Sequence, residues 1–213
     1  MDFSHVALIS KIVANLRNKD TQPPEFRKNL FKLGRLMAYE VSKTLPTISK
    51  IVTSPFGEAQ YLDFDTDIVI VGILRACLPM AEGVFDEFPD AIFGLLSASR
   101  GKKLSEDGKD FEINAAYVKI PPCKDKIVLV VDPMLATAST MLKLLKLIED
   151  EKPTKILIIG AIASKYGIER ITKSYPHVDV YTAAIDPKLN EKGYIIPGLG
   201  DAGDRAFNTG NDL

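Results

Sequence analysis

Two hydrophobic rhythms divide the chain. At its start, Val6, Ile9, Ile12, Val13 and Leu16 recur at three- and four-residue spacing, which predicts an amphipathic helix with Ser4 as its N-cap. A second helix is predicted from Pro23 and Pro24, because proline is tolerated in a first helical turn. Phe26, Leu30, Leu33, Met37 and Val41 line one of its faces, and Arg27, Lys28, Lys32 and Arg35 the other. Residues 48–53 and 60–64 then read as a hairpin joined across residues 55–58. Residues 68–74 are a continuous apolar run, the pattern of a strand buried on both faces. A helix opened by Pro79 and running to Phe88 follows. Further strands are predicted over residues 91–99, 111–120, 126–131, 155–163 and 178–184, with a helix over 165–175. Strand and helix alternate from residue 68 to residue 184, which implies an α/β fold with a mostly parallel sheet flanked by helices.

The stretch from residue 126 to 141 is the centre of this pattern. Its β-branched run ends at Asp132, a small-residue loop follows, and Met141, Leu142, Leu144, Leu145 and Ile148 take up helical spacing. Such a strand–loop–helix unit presents backbone N–H groups and a helix N-terminus to an anion, with Thr137, Ser139 and Thr140 as hydroxyl donors. An ordinary βα turn with a Ser or Thr cap has the same outline. The unit carries neither G-x-x-x-x-G-K nor G-x-G-x-x-G, so it is neither a P-loop nor a dinucleotide fingerprint. Asp132 stands at the carboxyl end of its strand, where open α/β sheets bind ligands.

Three other stretches carry possible chemistry. Arg75 closes the run 68–74, and a buried arginine needs a partner, either a structural carboxylate or a bound anion; the anion clamp is the favoured reading. Residues 101–108 turn polar and charged, as in a flap that closes over a site or a solvated hairpin tip. Residues 193–205 hold four glycines and two aspartates between apolar positions, a pattern expected to form no regular element but able to aim backbone groups at a flat ligand.

Composition narrows the classes. A chain of 213 residues suits one large domain with a sizeable core. A net charge of −1 argues against a general nucleic-acid binder. The longest apolar runs are too short to span a bilayer, and no leader pattern opens the chain, so neither a membrane span nor a signal peptide is expected. Cys77 and Cys123 fit no metal or redox spacing, which points to a reduced, cytoplasmic protein. With two histidines and no cluster around them, a zinc site is not expected.

Taken together, Asp132, Pro133, Met134, Leu135, Ala136, Thr137, Ala138, Ser139 and Thr140 resemble the phosphoribosyl-pyrophosphate loop of the uracil phosphoribosyltransferases. The stretch G-Y-I-I-P-G-L-G-D-A-G-D-R over residues 193–205 resembles that family's uracil-binding hood. I-L-R-A at 73–76, S-A-S-R at 97–100, and the segments around Arg27 and Arg35 are similar to further family segments. The match spreads over residues 26–209. Ala138, Ser139 and Thr140 depart from the commoner loop, which has two glycines and a serine, and are similar to archaeal members; Cys77 and Pro79 replace residues that are usually glycine. The resemblance implies one type I phosphoribosyltransferase domain over residues 1–213, with N-terminal helices over 1–45, a β-hairpin flap, and a C-terminal hood over 190–209 covering the base site. It implies transfer of phosphoribose to uracil with Mg²⁺ as cofactor. Asp132, Asp201, Arg75 and Arg100 would be catalytic, these four and the loop would bind phosphoribosyl pyrophosphate, and Tyr194, Ile195, Gly200, Asp201 and Ala202 would bind uracil. Lys28, Asn29, Leu30, Phe31 and Lys32 resemble a GTP-contacting region, which implies GTP activation and CTP inhibition in a homodimer or homotetramer. On the residues alone, the favoured reading of that helix's basic face is solvated surface, the alternative being an anion or nucleotide site at a subunit contact.

Overall fold

The computed structural model describes residues 1–103 and 111–210, except the side chains of Ser99, Arg100, Lys103 and Phe111. Two helices open the chain, α1 (Ala7–Arg17) and α2 (Pro23–Ser42), followed by a hairpin of β1 (Thr47–Ser54) and β2 (Gly57–Phe64). The sheet then forms from β3 (Ile68–Leu74), β4 (Ile92–Lys103), β5 (Phe111–Lys119), β6 (Ile127–Val131), β7 (Met134–Leu135), β8 (Lys155–Ser164) and β9 (Asp179–Asp186). Helices α3 (Leu78–Glu87), α4 (Ser139–Asp150) and α5 (Lys165–Ser174) connect them. The chain closes with β10 (Lys188–Leu189), β11 (Ile195–Ile196) and α6 (Ala202–Phe207).

The sheet has seven strands. Its order is β5-β4-β3-β6-β8-β9, with the short β7 also pairing β8 on the side of β6, and it is parallel except for the antiparallel edge strand β5. The apolar strands divide their side chains between two cores with a period of two, as pleating requires. Ile70, Leu129, Val131, Leu157 and Ile159 face α1, α2, α3 and α6; Val69, Val71, Val128, Val130, Ile156 and Ile158 face α4 and α5. Helices α2 and α3 touch backbone to backbone. A Cβ at Gly34 would lie 2.1 Å from Met80 O, and one at Gly83 2.1 Å from Phe31 O.

Four local expectations are corrected. The first helix is capped by Val6 without a side-chain bond, because Ser4 is taken up in a turn with Asp2. The hairpin turn is shorter than expected: Ser54 pairs with Gly57, leaving Pro55 and Phe56 between the strands. The start of α4 is set by Ala138, not by a serine or threonine cap. Residues 193–205 do contain regular elements, β11 and the start of α6, which packing and an aspartate cap create where periodicity is silent. The tip of the expected flap, residues 104–110, lies outside the described residues; its stems β4 and β5 pair with register shifts between Ser97 and Ala98 and between Arg100 and Lys103.

The β1–β2 hairpin meets the first core at its base, where Phe64 packs against Phe88. Every residue of β1 is exposed, and Ile51, Phe56 and Leu62 present apolar side chains to solvent.

Candidate active site

The site grows from the end of β6. Val131 pairs with Ile159 and Met134 with Ile162, so β7 resumes β6 in the same register after a break at Asp132 and Pro133. Asp132 fixes this break by accepting a hydrogen bond from the Met134 N–H at 3.3 Å. The loop ends at Ala138, whose φ of 62° and ψ of 6° lie in the left-handed region, and α4 starts at the next residue. Asp132, Met134, the loop and the first turn of α4 together wall a small cleft of about 40 Å³. Backbone N–H groups of a helix start favour an anion there. The three hydroxyls differ in placement. Thr137 and Ser139 are buried and lie 3.3 Å apart, oxygen to oxygen, whereas Thr140 is half-buried at the cleft.

Across from this cleft sits the C-terminal segment. Gly193, Gly198 and Gly200 take φ of 76°, 60° and 80°, which glycine adopts without a Cβ penalty, and they fold the segment back on itself around β11. Asp201 then caps α6 by accepting from the Asp204 N–H at 3.0 Å. The segment walls a second cleft of about 130 Å³, lined by Gly193, Tyr194, Ile195, Gly200, Asp201 and Ala202 on one side and by Ala76, Met134 and Ala136 on the other. Met134 and Ala136 line both clefts. The two unusual stretches of the sequence, some sixty residues apart, are thereby brought to one place.

Three arginines hold this segment. Arg17 pairs with Asp186 and donates to Gly198 O at 2.9 Å; Arg27 donates to Ala206 O at 2.6 Å. Arg205 is buried over the Phe26 ring and donates to the carbonyls of Leu16, Leu199 and Asn18. Burial lowers its pKa from the ordinary arginine value. From the sequence, Arg27 stands out for its charge and its family-like segment, and Arg205 only as the end of the glycine-rich stretch; Arg17 does not stand out at all. Their partners lie up to 189 residues away, and nothing local announces them.

Arg75 does not meet its expectation of burial. The apolar run ends inside the sheet, but the chain leaves the sheet edge at Leu74, the Leu74–Arg75 peptide is cis, and the Arg75 side chain is half exposed. Its Nη2 lies 3.2 Å from Asp204 Oδ1 and 3.2 Å from Thr209 Oγ1, and 3.9 Å from where a Cβ on Gly203 would stand. That places the guanidinium beside Gly203, which with Ala76 lines the second cleft. Arg100 belongs to β4, and its side chain is outside the described residues. Cys77 lies buried near Asp132; burial first, and then the aspartate's charge, push its thiol pKa far up, so it is no nucleophile.

The residues matched to an effector region part company. Asn29 and Leu30 are buried, with Asn29 donating to Glu25, while Lys28 and Lys32 are exposed and Phe31 is half-buried. Arg27, Lys28 and Phe31 border a separate cleft of about 450 Å³ with Leu78, Pro79, Glu82 and Phe207. It shares no lining residue with the other two. Among the described residues, no group of three His, Cys, Asp or Glu side chains is placed to hold a metal ion.

The fold is that of the type I phosphoribosyltransferases. A hypoxanthine phosphoribosyltransferase from Staphylococcus aureus superposes with a TM-score of 0.51 over 76% of each chain at 12% identity, a likeness of fold. The chain belongs to the uracil phosphoribosyltransferase family, whose profile matches residues 3–209. It is 45% identical over 202 residues to the uracil phosphoribosyltransferase of Sulfurisphaera tokodaii, covering 92% of this chain and 93% of that one. The AQ2163 protein from Aquifex aeolicus has the same fold with a TM-score of 0.90 at 35% identity, covering 97% of both chains.

Proposed function

We propose that this protein is a pentosyltransferase of pyrimidine salvage that converts uracil and 5-phospho-α-D-ribose 1-diphosphate to UMP and diphosphate. The observation that carries the reading is the shared wall: Met134 and Ala136 join an anion cradle to a pocket built of backbone groups. A ribose phosphate seated in the first cleft would present its anomeric carbon to a base in the second. The loop N–H groups from Ala136 to Thr140 receive the 5-phosphate, and Asp132 accepts from the ribose hydroxyls and faces the positive charge that develops on the sugar ring. The uracil N1 forms the new bond to C1 as the C1–O bond to diphosphate breaks. Arg75, with Arg100, stabilises the negative charge on the departing diphosphate, and Asp201 contacts the phosphoribosyl donor. Arg75 must exchange Asp204 and Thr209 for that anion, and its exposure makes the exchange cheap.

Uracil carries two carbonyls flanking an N–H. Main-chain groups at Ile195, Gly200 and Ala202 match that edge, and Tyr194 covers the nucleoside. Cytosine would leave such groups unpaired, and sites built on hydrogen bonds reject such analogues strongly.

Mg²⁺ is a hard cation that binds substrate phosphates readily. No protein ligand is assigned to it; it would be carried on the diphosphate, beside Asp132 and Asp201, and neutralise charge there. GTP activation and CTP inhibition are assigned to the separate cleft beside Lys28 and Phe31, where a basic edge meets an apolar floor. A homodimer or homotetramer, working in the cytoplasm, would cover the apolar side chains of the β1–β2 hairpin, because a two-stranded hairpin is marginal alone.

The test is to incubate the protein with labelled uracil, phosphoribosyl diphosphate and Mg²⁺, with and without GTP, beside parallel reactions with cytosine, hypoxanthine and orotate. UMP from uracil alone supports the reading. Product from another base, or none, overturns it, and a rate indifferent to GTP removes the effector assignment.

A further inference from the structure

Arg170 of α5 straddles the one strained residue of the phosphate loop. Its Nη1 donates to Thr137 O at 2.8 Å and to Ser139 Oγ at 3.1 Å, the residues immediately before and after Ala138. Ala138 holds φ at 62°, a conformation that residues with a Cβ resist and glycine does not. The rest of α5 braces the same side of the loop. Ser164 Oγ donates to Ala136 O at 2.6 Å and, as the N-cap of α5, accepts from the Gly167 N–H at 2.8 Å. Helix and loop approach so closely that a Cβ on Gly167 would lie 2.5 Å from Ala136 O and 2.9 Å from Leu135 O.

These contacts fix the direction of the loop's donors. In a trans peptide the carbonyl and the following N–H point opposite ways. With the carbonyls of Ala136 and Thr137 turned toward Ser164 and Arg170, the N–H groups of Thr137 and Ala138 are turned away from α5, toward the cleft. Arg170 does not line that cleft. Its bond to the Thr137 carbonyl is charge-assisted, stronger than a neutral one.

We propose that Arg170 is a positioning residue for the 5-phosphate: by bonding both sides of Ala138 it holds the left-handed turn that aims the loop N–H groups at the anion. The proposal rests on the phosphoribosyl reading of this cleft. It accounts for how a loop with alanine and serine at 138 and 139 keeps a shape that glycine would take unaided.

A double-mutant cycle tests it, read by the KM for each substrate and by calorimetric titration with ribose 5-phosphate, which needs no turnover. Arg170→Met is expected to raise the KM for phosphoribosyl diphosphate and the Kd for ribose 5-phosphate about tenfold, with the uracil KM within about twofold. Arg170→Lys, whose single nitrogen can make both bonds, is expected to stay close to wild type. Adding Ala138→Gly to Arg170→Met is expected to recover most of the loss, because glycine needs no clamp at this φ. Unchanged ribose 5-phosphate binding in Arg170→Met, an equal loss for both substrates, or no recovery in the double variant overturns the proposal. Should Arg170→Met not fold, Arg170→Gln takes its place in the same cycle. Wild-type protein that binds ribose 5-phosphate but makes no UMP would defeat the uracil reading and leave the cycle decisive through binding; wild-type protein that binds no ribose 5-phosphate defeats both.

Discussion

Arg17 and Asp186 grip each other at two points, both 2.7 Å, and together they grip one glycine. Arg17 donates to Gly198 O at 2.9 Å while Asp186 accepts from the Gly198 N–H at 2.8 Å. The last residue of α1, the last residue of β9 and the turn of the hood are locked into one unit. Breaking a buried pair leaves a charge uncompensated, at about 3–5 kcal/mol when fully buried. With the Arg17 side chain 25% exposed and that of Asp186 6%, Arg17→Met is expected to cost about 2 kcal/mol, read from the urea midpoint. It should raise the KM for uracil more than that for phosphoribosyl diphosphate, because the hood loosens while the loop does not.

Asp201 has two tasks that two substitutions separate. Asparagine can cap α6 as aspartate does, so Asp201→Asn should keep the melting temperature within a few degrees and lose most turnover. Asp201→Ala loses the cap as well, at a further cost of about 1 kcal/mol. Near wild-type turnover in the asparagine variant would remove Asp201 from the donor site.

Arg205→Met would strip the two buried carbonyls of Leu16 and Leu199 of their donor, and the part-buried carbonyl of Asn18. Each unsatisfied buried acceptor costs about 1–3 kcal/mol, so a loss on the order of 3–5 kcal/mol is expected, and differential scanning calorimetry would measure it. A change under 1 kcal/mol would mean that water replaces the guanidinium.

Alkaline pH should loosen the fold through Cys123. Burial pushes its thiol from an ordinary 9.0 up to about 11, with Glu151 adding in the same direction. Below pH 9 the thiol is protonated whether the chain is folded or unfolded. Between pH 9 and about 11 the unfolded chain sheds this proton and the folded chain keeps it, so stability falls as pH rises, by about 2 kcal/mol over the window. Cys77, shifted the same way, adds to the fall. Denaturation curves from pH 8 to 11 should therefore be flatter in Cys123→Ala.

Most of the fold was legible because it rests on local patterns. The apolar run 68–74 coincides with β3, and the helical spacing of α1, α2 and α4 marks the faces that are buried. The two stretches that wall the candidate clefts were legible too, as a small-residue loop and a glycine-rich tail. What escaped was set by tertiary contact. Ala138 gives no sign of a left-handed conformation, since its neighbours and Arg170 hold it there. Helix α6 has six residues, too few for periodicity to show, and exists through its Asp201 cap and the buried Arg205. Arg75 read as buried because the strand before it is, yet the chain turns outward one residue earlier.

The common wall of Met134 and Ala136 has a consequence for how such an enzyme can change. Met134 is paired to β8 and Ala136 follows it by two residues, so under the proposed reading the spacing between sugar and base is set by backbone bond lengths instead of by side-chain fit. On that reading, changes at hood residues that do not meet the phosphoribosyl donor, unlike Asp201, would alter which ring is accepted without moving the ribose. Base choice and donor binding would then be separable except at Asp201, which belongs to both.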